Sequence, residues 1–209
     1  GSAYLSPLVG ILTILSYYFV LSKLFNKQLG LIAAFLQAVL LGPVGFDKWV
    51  VPTITTKLWT IWYLYTVFMI ARGNFKVLPL LGILIGLIWH VHLALLPALL
   101  AIPFSLFFSK KFPTLKQITL FLLSLIITSL PFLIFEIKHH YIQTTSLFQS
   151  LLTGHGEGAI GWYKFWTNLE KIAKNIDTLF FSPFSLPQNL KLPFTALVLL
   201  SSWILINKK

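Results

Sequence analysis

Residues 77–109 read VLPLLGILIGLIWHVHLALLPALLAIPFSLFFS, and how often this stretch crosses a membrane decides the fold. It contains no Asp, Glu, Lys or Arg. A bilayer core about 30 Å thick takes roughly 20 apolar residues as a helix, so the stretch is long for one span and short for two. Pro97 and Pro103 argue against one straight helix, because proline removes a backbone donor and crowds the preceding turn. Charge placement settles the reading. As a hairpin of two short helices, the stretch leaves Lys23, Lys27, Arg72, Lys76, Lys110, Lys111, Lys116, Lys208 and Lys209 on one side; a single crossing throws Lys110, Lys111 and Lys116 across. The hairpin keeps the basic ends together, on the cytosolic side.

Two helices of about 15 residues rise only some 22 Å at 1.5 Å per residue. Their turn, near His90 and His92, stops short of the outer surface. Backbone outside a helix is tolerated at that depth only inside protein or against water. The sequence therefore predicts a recessed, outward-facing vestibule with imidazoles at its floor or wall.

Working outward, the uncharged runs at 1–22, 28–46, 58–71, 117–135 and 192–207 supply the other spans. The third begins near Pro52 or Thr53, with Lys57 snorkelling at its outer end. The expected fold is all-α: a polytopic membrane bundle of about seven spans, two of them paired in the short hairpin, with its C-terminus in the cytosol. Residues 1–138 hold six spans, 139–191 form an outer-face loop, and 192–209 are the last helix and a basic tail. Within the loop, Trp162, Phe165, Trp166, Leu169, Ile172, Ala173, Ile176, Leu179 and Phe180 recur at helical spacing. That pattern reads as an amphipathic helix, near 162–180, lying in the membrane interface. No internal repeat and no separate soluble domain are visible.

Composition agrees. The chain is 57% hydrophobic and 10% charged, where soluble domains carry about 25% charged residues. The net charge of +11 is spread singly and in pairs between apolar runs, which fits the positive-inside rule and argues against nucleic acid as a partner. The absence of cysteine excludes disulfides, thiol catalysis and Cys-ligated zinc. No carboxylate cluster has the spacing a divalent metal needs, and no cofactor is implied. The first residue is Gly, and the chain reads as an internal piece of a longer one.

All five acids (Asp47, Glu136, Glu157, Glu170, Asp177) and all five histidines (His90, His92, His139, His140, His155) fall on the outer side in this topology. Chemistry is therefore expected there. In GPVGFDKWVVP (42–52), Lys48 and nearby Lys57 suit a lipid phosphate and Asp47 suits a hydroxyl; the plain alternative is a turn with a tryptophan anchor. His90 and His92, two apart on a helix, point to different faces and do not chelate one metal unless the helix breaks. At least one of them is expected to line a wet cavity. In PFLIFEIKHHY (131–141), Glu136, Lys138, His139 and His140 together suit sugar hydroxyls, a phosphate or a proton shuttle; the plain alternative is a helix end meeting water. GHGEG (154–158) reads as a flexible turn, with an anion-binding nest or a mobile lid as the alternatives, and matches no phosphate-loop pattern.

At these segments, and in WHVHLALLPALLAIP (89–103), the chain resembles bacterial members of the dolichyl-phosphate-mannose–protein mannosyltransferase-like group, glycosyltransferase family 39 of the GT-C superfamily. The resemblance implies a multi-pass enzyme of the bacterial inner membrane. Such an enzyme transfers a sugar from a polyprenyl-phosphate donor to a glycan, lipid or protein acceptor on the outer face. It also implies a catalytic acid in the first outer loop, after the first helix. This chain has no acid before Asp47, which follows the second span, so the base is expected upstream and no catalytic residue is assigned here. Donor phosphate contacts fall to Lys48, Lys57 and Lys138, and sugar or acceptor contacts to Asp47, His90, His92, Glu136, His139 and His140. The alternatives are a transporter or flippase of lipid-linked sugars and a structural membrane subunit.

Overall fold

The computed structural model describes residues 4–47, 52–153, 162–181 and 184–207, and these are helical with no strand among them. α1 (Leu5–Leu24) and α2 (Lys27–Val39) form an antiparallel pair, with Asn26 between them capping α2 by accepting the Leu29 N–H at 2.8 Å. Gly30 lets α2 approach α1 closely: a Cβ there would lie 2.7 Å from the Tyr18 carbonyl oxygen. A short α3 (Leu41–Asp47) follows. Its Pro43 sits in the first turn, where a missing N–H costs nothing. A 3-10 turn (Pro52–Thr55) then leads into α4 (Thr56–Ala71), which runs back beside α1.

Gly73, at φ +75°, closes the turn after α4, a left-handed conformation that glycine adopts without a steric cost. α5 (Leu78–Val91) then rises, and the helix breaks at His92. The expected second helix is divided. Residues Leu93–Leu100 form a 3-10 stretch, and only Ala101–Ser109 (α6) is α-helical. Pro97 explains the tighter turn, since it leaves an α-helical carbonyl without its donor. The chain nonetheless returns: Tyr63 in α4 donates its hydroxyl to the Ala98 carbonyl at 2.7 Å, and the Lys111 side chain lies against Gly73. Both ends of the opening stretch thus sit at one end of the bundle.

α7 (Leu115–Lys138) runs parallel to α5 and packs against it more closely than any other pair. Ser124 Oγ donates to the Pro79 carbonyl at 2.8 Å, Gly82 and Gly86 face Ser124 and Thr128, and Trp89 stacks on Phe132 at 4.2 Å. α8 (Ile142–Thr153), α9 (Trp162–Phe181) and α10 (Gln188–Asn207) complete the described chain. α9 packs on α3 and α10. The apolar core lies between α1, α4 and α5 and includes Val20, Leu24, Trp59, Ile61, Tyr63, Ile70, Leu81, Leu84 and Ile88. Trp59 is tied into it by donating Nε1–H to the Leu84 carbonyl at 2.6 Å.

Two helices, α1 and α7, are long and apolar enough to cross a membrane, and α2, α5 and the 93–109 segment are shorter apolar helices. The core helix of a soluble protein is mostly covered, whereas only 6% of the most apolar window of α7 is buried. Ile126, Ile127, Ile134 and Ile137 of α7 are exposed, as are Leu8, Ile11 and Phe19 of α1, Leu31 and Phe35 of α2, and Phe104 and Phe107 of α6. Soluble monomers rarely leave so many large apolar side chains uncovered.

Charge divides along the bundle axis. Arg72 donates to the Leu24 carbonyl at 2.9 Å, which joins the ends of α4 and α1. With the Gly73–Lys111 and Pro79–Ser124 contacts, this gathers Lys23, Lys27, Arg72, Lys76, Lys110, Lys111 and Lys116 at one end. Lys208 and Lys209 lie outside the described residues.

Candidate functional site

At the opposite end lies a cavity of about 840 Å³ between α1, α2, α3, the start of α4, the break at His92 and α9. It reaches inward to Tyr17, in the half of α1 nearer the lysine-rich end. Its walls are mainly apolar, with a few convergent polar groups, the usual make-up of a ligand site.

Each polar group is placed by local structure. Lys57, in the first turn of α4, donates Nζ to the Pro43 carbonyl at 2.9 Å, which pins α4 to α3 and sets an ammonium in the wall. His92 stands where α5 ends, with extended backbone (φ −170°, ψ 124°). Its Nδ1 accepts the Ala94 N–H at 3.0 Å, capping the 3-10 stretch. A neutral imidazole accepting at Nδ1 carries its proton on Nε2, so His92 brings a hydrogen-bond donor to the cavity. Gln37 of α2 is only 7% exposed, and its Nε2 has no hydrogen-bond partner among the described residues. Thr56 Oγ1 is in the same condition, and both residues line this cavity. A buried polar group left unsatisfied costs about 1–3 kcal/mol, and both atoms are covered within the cavity wall. Asn175 and Thr178 of α9 complete the polar lining.

The residues expected from the sequence separate into three places. Lys57 and His92 meet in this cavity. His90 lies in a second one, of about 540 Å³ between α4 and α5, with Trp59, Trp62, Leu84 and Leu87. The two histidines therefore line different cavities, His90 from within α5 and His92 from the break that follows it. Asp47 ends α3, the helix whose Gly42 and Pro43 line the large cavity; Lys48 and the GHGEG segment (154–158) lie outside the described residues.

Glu136, Lys138, His139 and His140 form the turn between α7 and α8, apart from the cavity. Glu136 is buried, and its carboxylate caps α8: Oε1 accepts the Gln143 N–H at 3.1 Å, and Oε2 accepts the Thr144 N–H at 2.9 Å and the Thr144 hydroxyl. These oxygens are engaged in structure rather than turned to a substrate. His139 is exposed, stacked on Phe135 at 4.1 Å with Nδ1 2.8 Å from the Phe135 carbonyl. His140 and Tyr141 have positive φ (53° and 60°), and the Tyr141 N–H closes the end of α7 on the Glu136 carbonyl at 2.8 Å. Lys138 is exposed.

Asp177 of α9 plays a comparable part. It is buried, accepts the Leu186 N–H at 2.8 Å and pairs with Lys191 at 2.9 Å, fastening α10 to α9. The Leu186 N–H, opposed by burial and aided by the Lys191 ammonium, holds its carboxyl below the ordinary aspartate value.

Among the described residues no group of three or more His, Asp or Glu is placed to hold a metal ion. Gln37 and Thr56 were not singled out from sequence; each is an ordinary polar residue beside an apolar run, and only burial without a partner reveals it. Set against family models, curated proteins and solved structures, the chain matches none.

Proposed function

We propose that this chain is a multi-pass protein of a bacterial inner membrane, with its lysine-rich end in the cytosol. In this reading the large cavity binds the phosphosugar head of a polyprenyl-phosphate donor for transfer to an acceptor on the outer face. One observation carries it: at the end remote from the lysine cluster, a recessed cavity combines an ammonium, an imidazole donor and the polar residues Gln37 and Thr56 in a mainly apolar wall. Lys57 serves the phosphate as a point charge, and the Gln37 amide, Thr56 hydroxyl and His92 Nε2–H serve sugar and phosphate oxygens. As the bond between sugar and phosphate breaks, negative charge grows on the leaving polyprenyl phosphate, and the ammonium stabilises it there. The acceptor hydroxyl must also lose a proton to a carboxylate. No described side chain lining the cavity is a carboxylate, and no residue is assigned as that base. The amphipathic α9 closes the cavity from the outer side through Asn175, Thr178 and Phe180.

The test is binding of a radiolabelled polyprenyl-phosphate hexose to the chain in nanodiscs. Saturable binding is expected, weakened about tenfold or more by Lys57→Ala, the loss typical of a hydrogen bond to a charged group. Gln37→Leu should weaken it less. No saturable binding, or binding unmoved by both substitutions, refutes the reading. In proteoliposomes, passage of intact donor across the bilayer with no polyprenyl phosphate released refutes transfer.

A further inference from the structure

A second cationic cavity lies at the lysine-rich end. It holds about 490 Å³ between α1, the start of α2 and α4, and its walls include Phe19, Ser22, Lys23, Lys27, Trp62 and Tyr65. Lys23 sits with its ammonium 5.3 Å from the Tyr65 ring centroid, held by the ring face instead of by a carboxylate. An ion pair joins Lys191 to Asp177, in α10 and α9, away from this cavity. Lys27 is the first residue of α2, where the unpaired N–H groups of a helix start add partial positive charge. The Ser22 hydroxyl is buried without a partner among the described residues. Trp62 is fixed, since its Nε1–H donates to Ser16 Oγ at 3.1 Å. From the cavity an apolar track climbs the outer surface of α1: Phe19 is 61% exposed, and Leu15 and Leu12, one and two turns along the same face, are exposed as well.

We infer that this cavity is a site for an anionic phospholipid of the cytosolic leaflet, with its phosphate between Lys23 and Lys27 and an acyl chain along Trp62, Phe19 and Leu15. A phosphate oxyanion, free or in a headgroup, satisfies the two ammonium groups; the apolar track selects the lipid. The site rests on the membrane reading and orientation proposed above, and it is independent of what the Lys57 cavity binds.

The site contains its own reporter. In nanodiscs, phosphatidylglycerol brominated in its acyl chains should quench tryptophan fluorescence more than brominated phosphatidylcholine at equal mole fraction. Trp62→Phe should remove that excess. Replacing Lys23 or Lys27 by Gln should weaken the preference for the anionic lipid roughly fivefold for each lysine, the ratio equivalent to the energy of one basic side chain near an anionic surface. Lys23→Arg with Lys27→Arg should retain it, and donor binding at the Lys57 cavity should stay unchanged in all four. Equal quenching by the two lipids, or an excess that survives the double Gln substitution, overturns the proposal. So does displacement of brominated phosphatidylglycerol by millimolar inorganic phosphate alone, because a free anion would then be the ligand.

Discussion

Replacing Gly82 by Ala tests the α5–α7 packing that sets the whole bundle. In an exposed helix the change stabilises by about 1 kcal/mol, because glycine gives up more backbone freedom on folding. Here a Cβ would lie 2.4 Å from the Phe121 carbonyl oxygen and 3.1 Å from the Leu125 nitrogen, both backbone atoms that no side-chain rotation can move. Ordinary contact begins near 3.4 Å, so α7 must retreat by about 1 Å. That retreat stretches the 2.8 Å bond from Ser124 Oγ to the Pro79 carbonyl beyond hydrogen-bond range, at about 0.5–1.5 kcal/mol. Overpacking adds about 1–3 kcal/mol. After the helix-propensity gain, Gly82→Ala should destabilise by about 1–3 kcal/mol, the reverse of the exposed-helix sign. Gly45, exposed in α3 with nothing within 4 Å of an added Cβ, is the control, and Gly45→Ala should be neutral or stabilising. Unfolding in mixed micelles by added dodecyl sulfate, followed by far-ultraviolet circular dichroism, measures both. A Gly82→Ala protein as stable as the parent would refute the close packing of α5 on α7.

Two further outcomes follow from the turns. Asp177 has a lowered carboxyl pKa in the folded chain, so its contribution is complete above the ordinary aspartate value of about 3.9 and is lost as pH falls through the lowered one. Hydrogen exchange at the Leu186 amide should therefore quicken with acid beyond the intrinsic trend, and Asp177→Asn should flatten that response; identical profiles would show that the carboxylate does not fasten α10. His140 has a left-handed backbone at φ 53°, which costs a residue with a Cβ about 1–2 kcal/mol. Allowing for the greater freedom of glycine in the unfolded chain, His140→Gly should stabilise by up to about 1 kcal/mol in thermal unfolding, and a lower midpoint would contradict the turn geometry.

Much of the helical layout was readable because it rests on composition alone. The uncharged runs give α1, α4, α7 and α10 to within a few residues, and a period of 3.6 gives α9. The expected pair of equal short helices failed at Pro97, because a span count registers apolar length and not the backbone donor that proline lacks. α8 was hidden for another reason. Its N-terminal amides are satisfied by Glu136, six residues before the helix begins, so no local capping signature announces it. The same contact turned an expected binding carboxylate into a structural one. Lys57 was legible as a charge at the edge of an apolar run and His92 as an imidazole inside one. Gln37 and Thr56 were not, since their significance is an unmet hydrogen bond, a property of the packed chain.

The fate of the acidic side chains limits what either cationic cavity can hold. Glu136 is consumed at the start of α8 and Asp177 at the α9–α10 joint, while Glu170 sits on the exposed face of α9. The cavity at one end presents Lys57 and the cavity at the other Lys23 and Lys27, and no described carboxylate lines either. A cationic solute entering one of them would lose hydration and meet like charge, whereas an anion would exchange water for ammonium groups already in place. Among the described residues, the charge layout therefore favours anionic or neutral hydroxyl-bearing ligands. Competitive binding of an organic cation in the Lys57 cavity would require a carboxylate that its described lining does not contain.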